Sequence, residues 1–383
     1  MSSPAIRFAG FTDTWEEGKL GDLCCEFRSG EFIKASDITP SGNYPVYGGN
    51  GLRGHANIYN HDGDFALIGR QGALCGNMQF SCGKAYFTEH AIAVMANNNN
   101  ETRFLYYLFG TMNLGQYSGQ SAQPGLAVGN LNELKSLVPL KAEQKKVSEV
   151  FSCLDRLITL HQREHDKTVN IKKALLEKMF PKDGEDKPEI RFAGFTGAWE
   201  QWKLGELVEF FSGLTYSPHN VVSDGTLVLR SSNVKGGAII NADNVFVEAE
   251  CVNVSNVQVG DIVVVVRNGS RNLIGKHALI KRSMPNTVIG AFMTGLRCHI
   301  PEFTNALLDT HHFDNEIKKN LGATINQITT DEFKKMTFFV PEQSEQKKIG
   351  RIFTLLDNLI TLHKRELTKF QNIKKALLEK MFV

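Results

Sequence analysis

The chain has 383 residues, 42% of them apolar and 22% charged, so it can bury the cores of two or three domains. Its formal net charge of +2 leaves no basic footprint and argues against a purely electrostatic nucleic-acid binder. No apolar run reaches the roughly eighteen residues of a membrane span, no secretory leader is expected from Met1–Gly10, and the seven cysteines (24, 25, 75, 82, 153, 251 and 298) form no CxxC pair and read as reduced, cytoplasmic thiols.

Read in chain order, the sequence repeats itself. Ile6–Leu23 (IRFAGFTDTWEEGKLGDL) returns as Ile190–Leu207 (IRFAGFTGAWEQWKLGEL), identical at 13 of 18 positions. Val138–Phe180 returns as Val340–Phe382, identical at 28 of 43, and both copies end in NIKKALLEKMF. Between these blocks lie two dissimilar segments, 24–137 and 208–339, so each half is a short block, a variable segment and a long block. The expected organisation is a first domain at 1–140, a long helix at 141–181, a linker at 182–189, a second domain at 190–340 and a C-terminal long helix at 341–383. The linker region PKDGEDKP is charged and broken by proline and glycine, so it reads as an exposed hinge.

In the first variable segment, Tyr47-Gly-Gly-Asn50-Gly-Leu-Arg53-Gly-His55 reads as a glycine-rich loop whose backbone can approach a surface closely. Its Asn and Arg carry the groups that read adenine and guanine edges. Asp64-FALIG-Arg70-Gln71-Gly72 is an acidic residue, a five-residue apolar run and an Arg-x-Gly closure. That pattern predicts a buried strand delivering an arginine to a turn. Gln120 and Gln123 lie in a polar loop, a weaker candidate. In the second segment, Arg230-Ser231-Ser232-Asn233-Val-Lys235 combines base-reading groups with hydroxyls suited to phosphate. Asp261-IVVVV-Arg267-Asn268-Gly-Ser270-Arg271 repeats the strand-to-arginine pattern, and Asn326 falls in the later polar loop. Each candidate has a plain alternative: an ordinary turn, or a buried structural arginine. A zinc site through Cys75 and Cys82 lacks further ligands at suitable spacing.

The long blocks carry a stripe with alternating steps of four and three. In the first copy it is Val147, Phe151, Leu154, Ile158, His161, His165, Thr168, Lys172, Leu175 and Met179. In the second it is Ile349, Phe353, Leu356, Ile360, His363, Leu367, Phe370, Lys374, Leu377 and Met381. This is coiled-coil spacing, and about 38 residues at 1.5 Å span roughly 57 Å. The two copies are expected to pair with each other, antiparallel if the halves obey a pseudo-twofold, with His161 and His363 at the seam rather than binding a ligand. The expected fold class is α+β: two similar α/β domains joined by two long helices in an antiparallel coiled coil. The alternative packs each helix on its own domain.

No methyltransferase NPPY segment, Walker A loop, GxSxG, HExxH or nuclease carboxylate–lysine cluster is present. Neither variable segment is basic: 24–137 has 7 basic and 8 acidic residues, and 208–339 has 12 of each. The duplicated RFAGFT-x-x-W-E-x-x-K-L-G blocks, the EQKK-initiated helices ending in IKKALLEKMF and the YGGNG loop followed by ALIGRQGALCGN together resemble the specificity subunits of type I restriction–modification systems. The resemblance covers nearly the full length. It implies a non-catalytic subunit in which each variable domain reads one half of a split double-stranded DNA target. It further implies that the helices set the unread gap and dock two methyltransferase subunits, which restriction subunits then join. S-adenosylmethionine, ATP and magnesium would belong to those partners, and no cofactor or metal to this chain. Two rival readings remain at this stage: a single-chain restriction enzyme or methyltransferase, and an adaptor with duplicated protein-binding modules.

Overall fold

The computed structural model describes residues 3–119, 125–182, 184–321 and 326–383. The chain forms two compact units, Met1–Gln162 with Arg365–Val383, and Arg163–Lys364. Each unit is a mixed domain plus a stretch of both long helices.

In the first unit the apolar run Phe65–Gly69 is an interior strand with every residue buried. It lies between Ala91–Ala96 and Met78–Ser81, and Cys24–Ser29 completes a four-stranded antiparallel sheet. Both faces of the strand are covered, so no polar alternation is needed. Ala66 and Ile68 join the core beneath helix Thr102–Thr111, with Phe104, Leu105 and Leu108. Phe65 and Leu67 face the other way, onto Ala85 and Phe87 of a second sheet. That sheet runs Gly51–Ala56, Tyr44–Gly48, Lys84–Phe87, His61–Asp62, with its middle pair parallel. Each buried Phe or Leu side chain contributes roughly 1.5–3 kcal/mol.

The second unit is built the same way. Its first sheet runs Glu209–Ser212, Met293–Arg297, Ile262–Val265, His277–Leu279, all antiparallel. Its second runs Val221–Val222, Val245–Val247, Thr226–Leu229, Thr287–Ile289, again with one parallel pair. Ile262 and Val264 face one core while Val263 and Val265 face another.

The short repeated blocks perform the same task twice. Trp15 and Trp199 are each 3% exposed and plug the core of their unit. Arg7 grips Glu143 through Nε and Nη2 at 2.9 and 2.7 Å, and Arg191 grips Glu345 at 2.9 and 2.6 Å. Both glutamates are buried in the first turn of a long helix, where the helix dipole favours an acid. The fork geometry of arginine suits this two-point grip. Strand Glu16–Lys19 pairs antiparallel with Lys135–Val138, and Glu200–Lys203 with Thr337–Val340.

The long helices are Lys141–Met179 and Gln343–Met381, 39 residues each. Each starts two residues beyond a proline, Pro139 or Pro341, and the first stops just before Pro181. Within each unit the two helices pair antiparallel. In the first unit Phe151 meets Phe382 at 5.8 Å, Asp155 meets Lys374 at 2.5 Å, and His161 stacks on Phe370 at 5.5 Å. In the second, Lys172 meets Asp357 at 2.6 Å and Phe180 meets Phe353 at 5.9 Å. No position of either stripe is exposed; each is buried or half-buried.

The linker is mostly exposed but not free. Ile190 N donates to Lys178 O at 2.8 Å, Trp199 N to Asp186 O at 2.8 Å, and Lys178 pairs with Glu189 at 2.7 Å. These bonds tie it to the end of the first helix and the start of the second short block, so it is bonded into its unit rather than a loose hinge.

Candidate nucleic-acid interface

In each unit the central strand hands an arginine to a turn, and other predicted segments gather there. In the first unit Arg70 N donates to His90 O at 2.9 Å and Arg70 Nη1 to Glu89 O at 3.4 Å. Leu126 N donates to Arg70 O at 2.9 Å, and Gln71 bridges Gly125. The segment Tyr47–His55 is a hairpin rather than a loop: Tyr44–Gly48 and Gly51–Ala56 pair antiparallel, with Gly49 and Asn50 at the turn. Gly49 lies against the arginine turn, where a Cβ would meet His90 O at 2.9 Å and Gln71 O at 3.1 Å. Only glycine allows that approach.

At this edge the side chains of Asn50, Arg53 and Gln71 are exposed, and Arg70 is half-buried. Two candidates act differently from expectation. Tyr47 packs edge-on against the buried Phe87 ring at 6.1 Å. His55 is half-buried, and its backbone pairs with Thr39 at 2.8 and 2.9 Å. Both brace the hairpin. Gln120 and Gln123 lie outside the described residues.

In the second unit Val266 N and Arg267 N both donate to Phe292 O, at 3.0 and 3.2 Å. Asn326 Nδ2 donates to Gly269 O at 2.9 Å, and Asn268 N to Asn326 O at 3.2 Å. Asn268 Nδ2 donates to Ser231 Oγ at 2.9 Å while its Oδ1 accepts from Ser270 N at 2.9 Å. Three segments far apart in sequence, around residues 231, 268 and 326, therefore meet at one edge. Arg267, Ser270 and Arg271 are exposed there.

The same bonds correct several expectations. Asn233 is fully buried: its Nδ2 donates to Ala242 O at 2.6 Å and its Oδ1 accepts from Arg230 N at 2.9 Å. It holds a turn and has no amide edge to offer a base, so it leaves the candidate set. Asn268 and Asn326 donate their amide N–H groups to Ser231 and Gly269 and act as braces between segments. Arg230 donates through Nη2 to Asp243 O at 2.5 Å, which makes it a half-buried structural arginine. Ser232 is half-buried with its hydroxyl enclosed, and Lys235 is exposed on a short hairpin of its own.

Sequence reasoning missed Phe292, His90 and Tyr216. Phe292 is 53% exposed, and the Arg267 guanidinium lies 4.9 Å from its ring centroid. With Tyr216, Arg230, Ser231 and Asp243 it lines an open depression of about 720 Å³. A lone aromatic before a strand carries no pattern, so nothing in the sequence marked it. Among the described residues no His, Cys, Asp and Glu cluster has metal-holding geometry, and no helix is long and apolar enough to cross a membrane.

The comparisons with known proteins agree with this duplicated construction. The family described as "Type I restriction modification DNA specificity domain" matches twice, over residues 12–169 and 197–372. The specificity subunit of the type I restriction enzyme EcoprrI from Escherichia coli is 42% identical over 158 residues, an alignment covering 39% of each chain. The MjaVIII specificity subunit from Methanocaldococcus jannaschii is 24% identical over 291 residues, covering 71% of this chain and 68% of that one. The crystal structure of a type I restriction–modification S subunit from M. genitalium superposes with a TM-score of 0.71 at 18% identity, covering 100% of this chain and 99% of that one, a likeness of fold alone. With both halves matched by one family, in the order its repeats lead one to expect, the chain belongs to the type I restriction–modification DNA-specificity family.

Proposed function

We propose that this chain reads DNA sequence for a type I restriction–modification complex, each unit reading one half of a split double-stranded target. The observation that carries this is the edge built twice on one plan and finished differently: Asn50, Arg53 and Gln71 around Arg70, against Ser270 and Arg271 around Arg267. Arginine and amide side chains at such an edge suit base readout in the major groove. Ser231, Asn268 and Asn326 hold the second edge in shape, and the exposed Lys235 suits a phosphate contact. The variable segments are electrically balanced. Much of the phosphate grip then falls to partners.

The long helices set the length of the unread gap and, with the short repeated blocks, dock two methyltransferase subunits, which restriction subunits join. Supporting the docking role, Leu355, Leu359 and Leu362 are 54, 44 and 51% exposed in steps of four and three, off the seam stripe. A row of exposed leucines on one helix face fits a partner surface. The chain supplies recognition and no catalysis, and S-adenosylmethionine, ATP and magnesium are handled by the partners.

Sequencing the methylated positions in a host that expresses this chain with its methyltransferase partner tests the reading. The expected result is one motif with two specific blocks separated by a fixed number of unread base pairs. A continuous motif would overturn the split-target reading. Partners present but no sequence-dependent methylation or DNA affinity would favour an adaptor instead.

A further inference from the structure

We propose that Phe292 is a positioning residue for base reading: its ring lies beneath the Arg267 guanidinium and holds it in place, and this sets which base pair the second unit accepts at one step of its half-target. The inference rests on the reading of that unit as a DNA reader.

Three observations carry it. First, Phe292 is 53% exposed although the next residue, Met293, is 3% exposed, so the ring stands out from a buried strand. Second, the Phe292 carbonyl accepts Arg267 N at 3.2 Å and Val266 N at 3.0 Å, which fixes ring and arginine on one turn, and the guanidinium carbon sits 4.9 Å from the ring centroid. Third, among the described residues the Arg267 guanidinium has no hydrogen-bond or ion-pair partner, so the ring is what holds it. A guanidinium lying on an aromatic face keeps the N–H donors on its rim available, because stacking uses the face and hydrogen bonding uses the edge. Two-point contact with a guanine edge needs that fork in a set plane. A long, exposed arginine stem without such support must give up more rotamer freedom on binding.

The first unit solves the same problem differently. The carbonyl that receives Arg70 N belongs to His90, and the Arg70 guanidinium is bonded to Glu89 O at 3.4 Å. His90 instead pairs through Nε2 with Glu89 Oε1 at 3.3 Å. One arginine is held by a backbone oxygen and the other by a ring, so aromatic positioning is specific to the second unit.

The test uses the chain assembled with its methyltransferase subunits and a set of duplexes carrying the methylated target with one base pair replaced at a time. Arg267→Ala is expected to lose discrimination at one base pair of one half. Phe292→Leu should weaken discrimination at that same base pair by roughly three- to ten-fold, leave the other positions unchanged and leave the melting temperature unchanged, while Phe292→Tyr keeps wild-type behaviour. If Arg267→Ala relaxes one position and Phe292→Leu relaxes none, the positioning role is wrong and the DNA-reading assignment stands. Equal loss in Phe292→Leu and Phe292→Tyr, or loss uniform across all duplexes, also overturns it. Should Arg267→Ala itself act uniformly or not at all, the base-reading assignment of Arg267 fails and takes the inference with it.

Discussion

Lys172 is a half-buried cation set into the helix stripe beside Leu175 and Met179, and its neighbours explain how it is tolerated. Asp309 and Asp357 each approach its Nζ at 2.6 Å, and His277 Nε2 stands 3.3 Å from Asp309 Oδ1, close enough for charge attraction without the alignment of a hydrogen bond. Burial opposes the charge on Lys172, but the two carboxylates more than offset it and its pKa is raised. Burial likewise opposes the Asp309 carboxylate, yet His277 and Lys172 hold it down at about 2 from an ordinary 3.8. Burial also works against a charged His277, and Asp309 nevertheless raises it above 6.5. The depressed Asp309 therefore contributes stability that is full above about pH 4 and lost as pH falls towards 2. The raised His277 contributes stability that is full below 6.5 and lost as pH rises through its folded value. Asp309→Asn should cost the second unit roughly 2 kcal/mol at neutral pH. Denaturation of both proteins across pH should show that gap closing between pH 4 and 2; a gap indifferent to acid would mean the carboxylate charge is not what stabilises.

At the scale of the element, the same lysine explains the register of the helix pair. Lys172 with Asp357 and Lys374 with Asp155 are one contact made twice, since both members shift by the 202-residue repeat offset. An apolar stripe alone would tolerate sliding by a heptad, and a half-buried charge pair does not. If the helices set the gap, adding one heptad after both Leu160 and Leu362 should lengthen the unread gap by about three base pairs, because seven residues add roughly 10 Å at 1.5 Å each against 3.4 Å per base step. The same insertion in one helix alone should abolish activity, since the two ion pairs then cannot form together. Methylation mapping reads both outcomes, and an unchanged gap in the double insertion would discard the ruler.

At the scale of the whole molecule, the chain is one construction used twice with different finishing. The repeated blocks supply the tryptophan plug, the arginine–glutamate grip and the edge strand in each unit, and the variable segments supply the sheets and their exposed edge. Exchanging residues 24–137 for the matching segment of another family member should change one half of the target and leave the other half and the gap alone. The same mapping decides: both halves changing would show that the units do not read independently.

The sequence by itself determined the duplication, the buried central strands and the helix stripe. Each of these is written in local pattern: repeated strings, an unbroken apolar run closed by Arg-x-Gly, and steps of four and three. Val147 and Phe151 are 1 and 0% exposed, as the period requires. Only the tertiary structure decided which polar residues are available to a partner. Asn233 and Arg267 look alike in sequence as base-reading types, yet one is folded inward by bonds to residues up to eleven positions away and the other is exposed on a ring 25 residues further along the chain. The approach of Gly49 to His90, the Asn268–Ser231 bond and the Phe292–Arg267 contact all join segments distant in sequence, and no local pattern encodes which distant neighbour will satisfy a polar group.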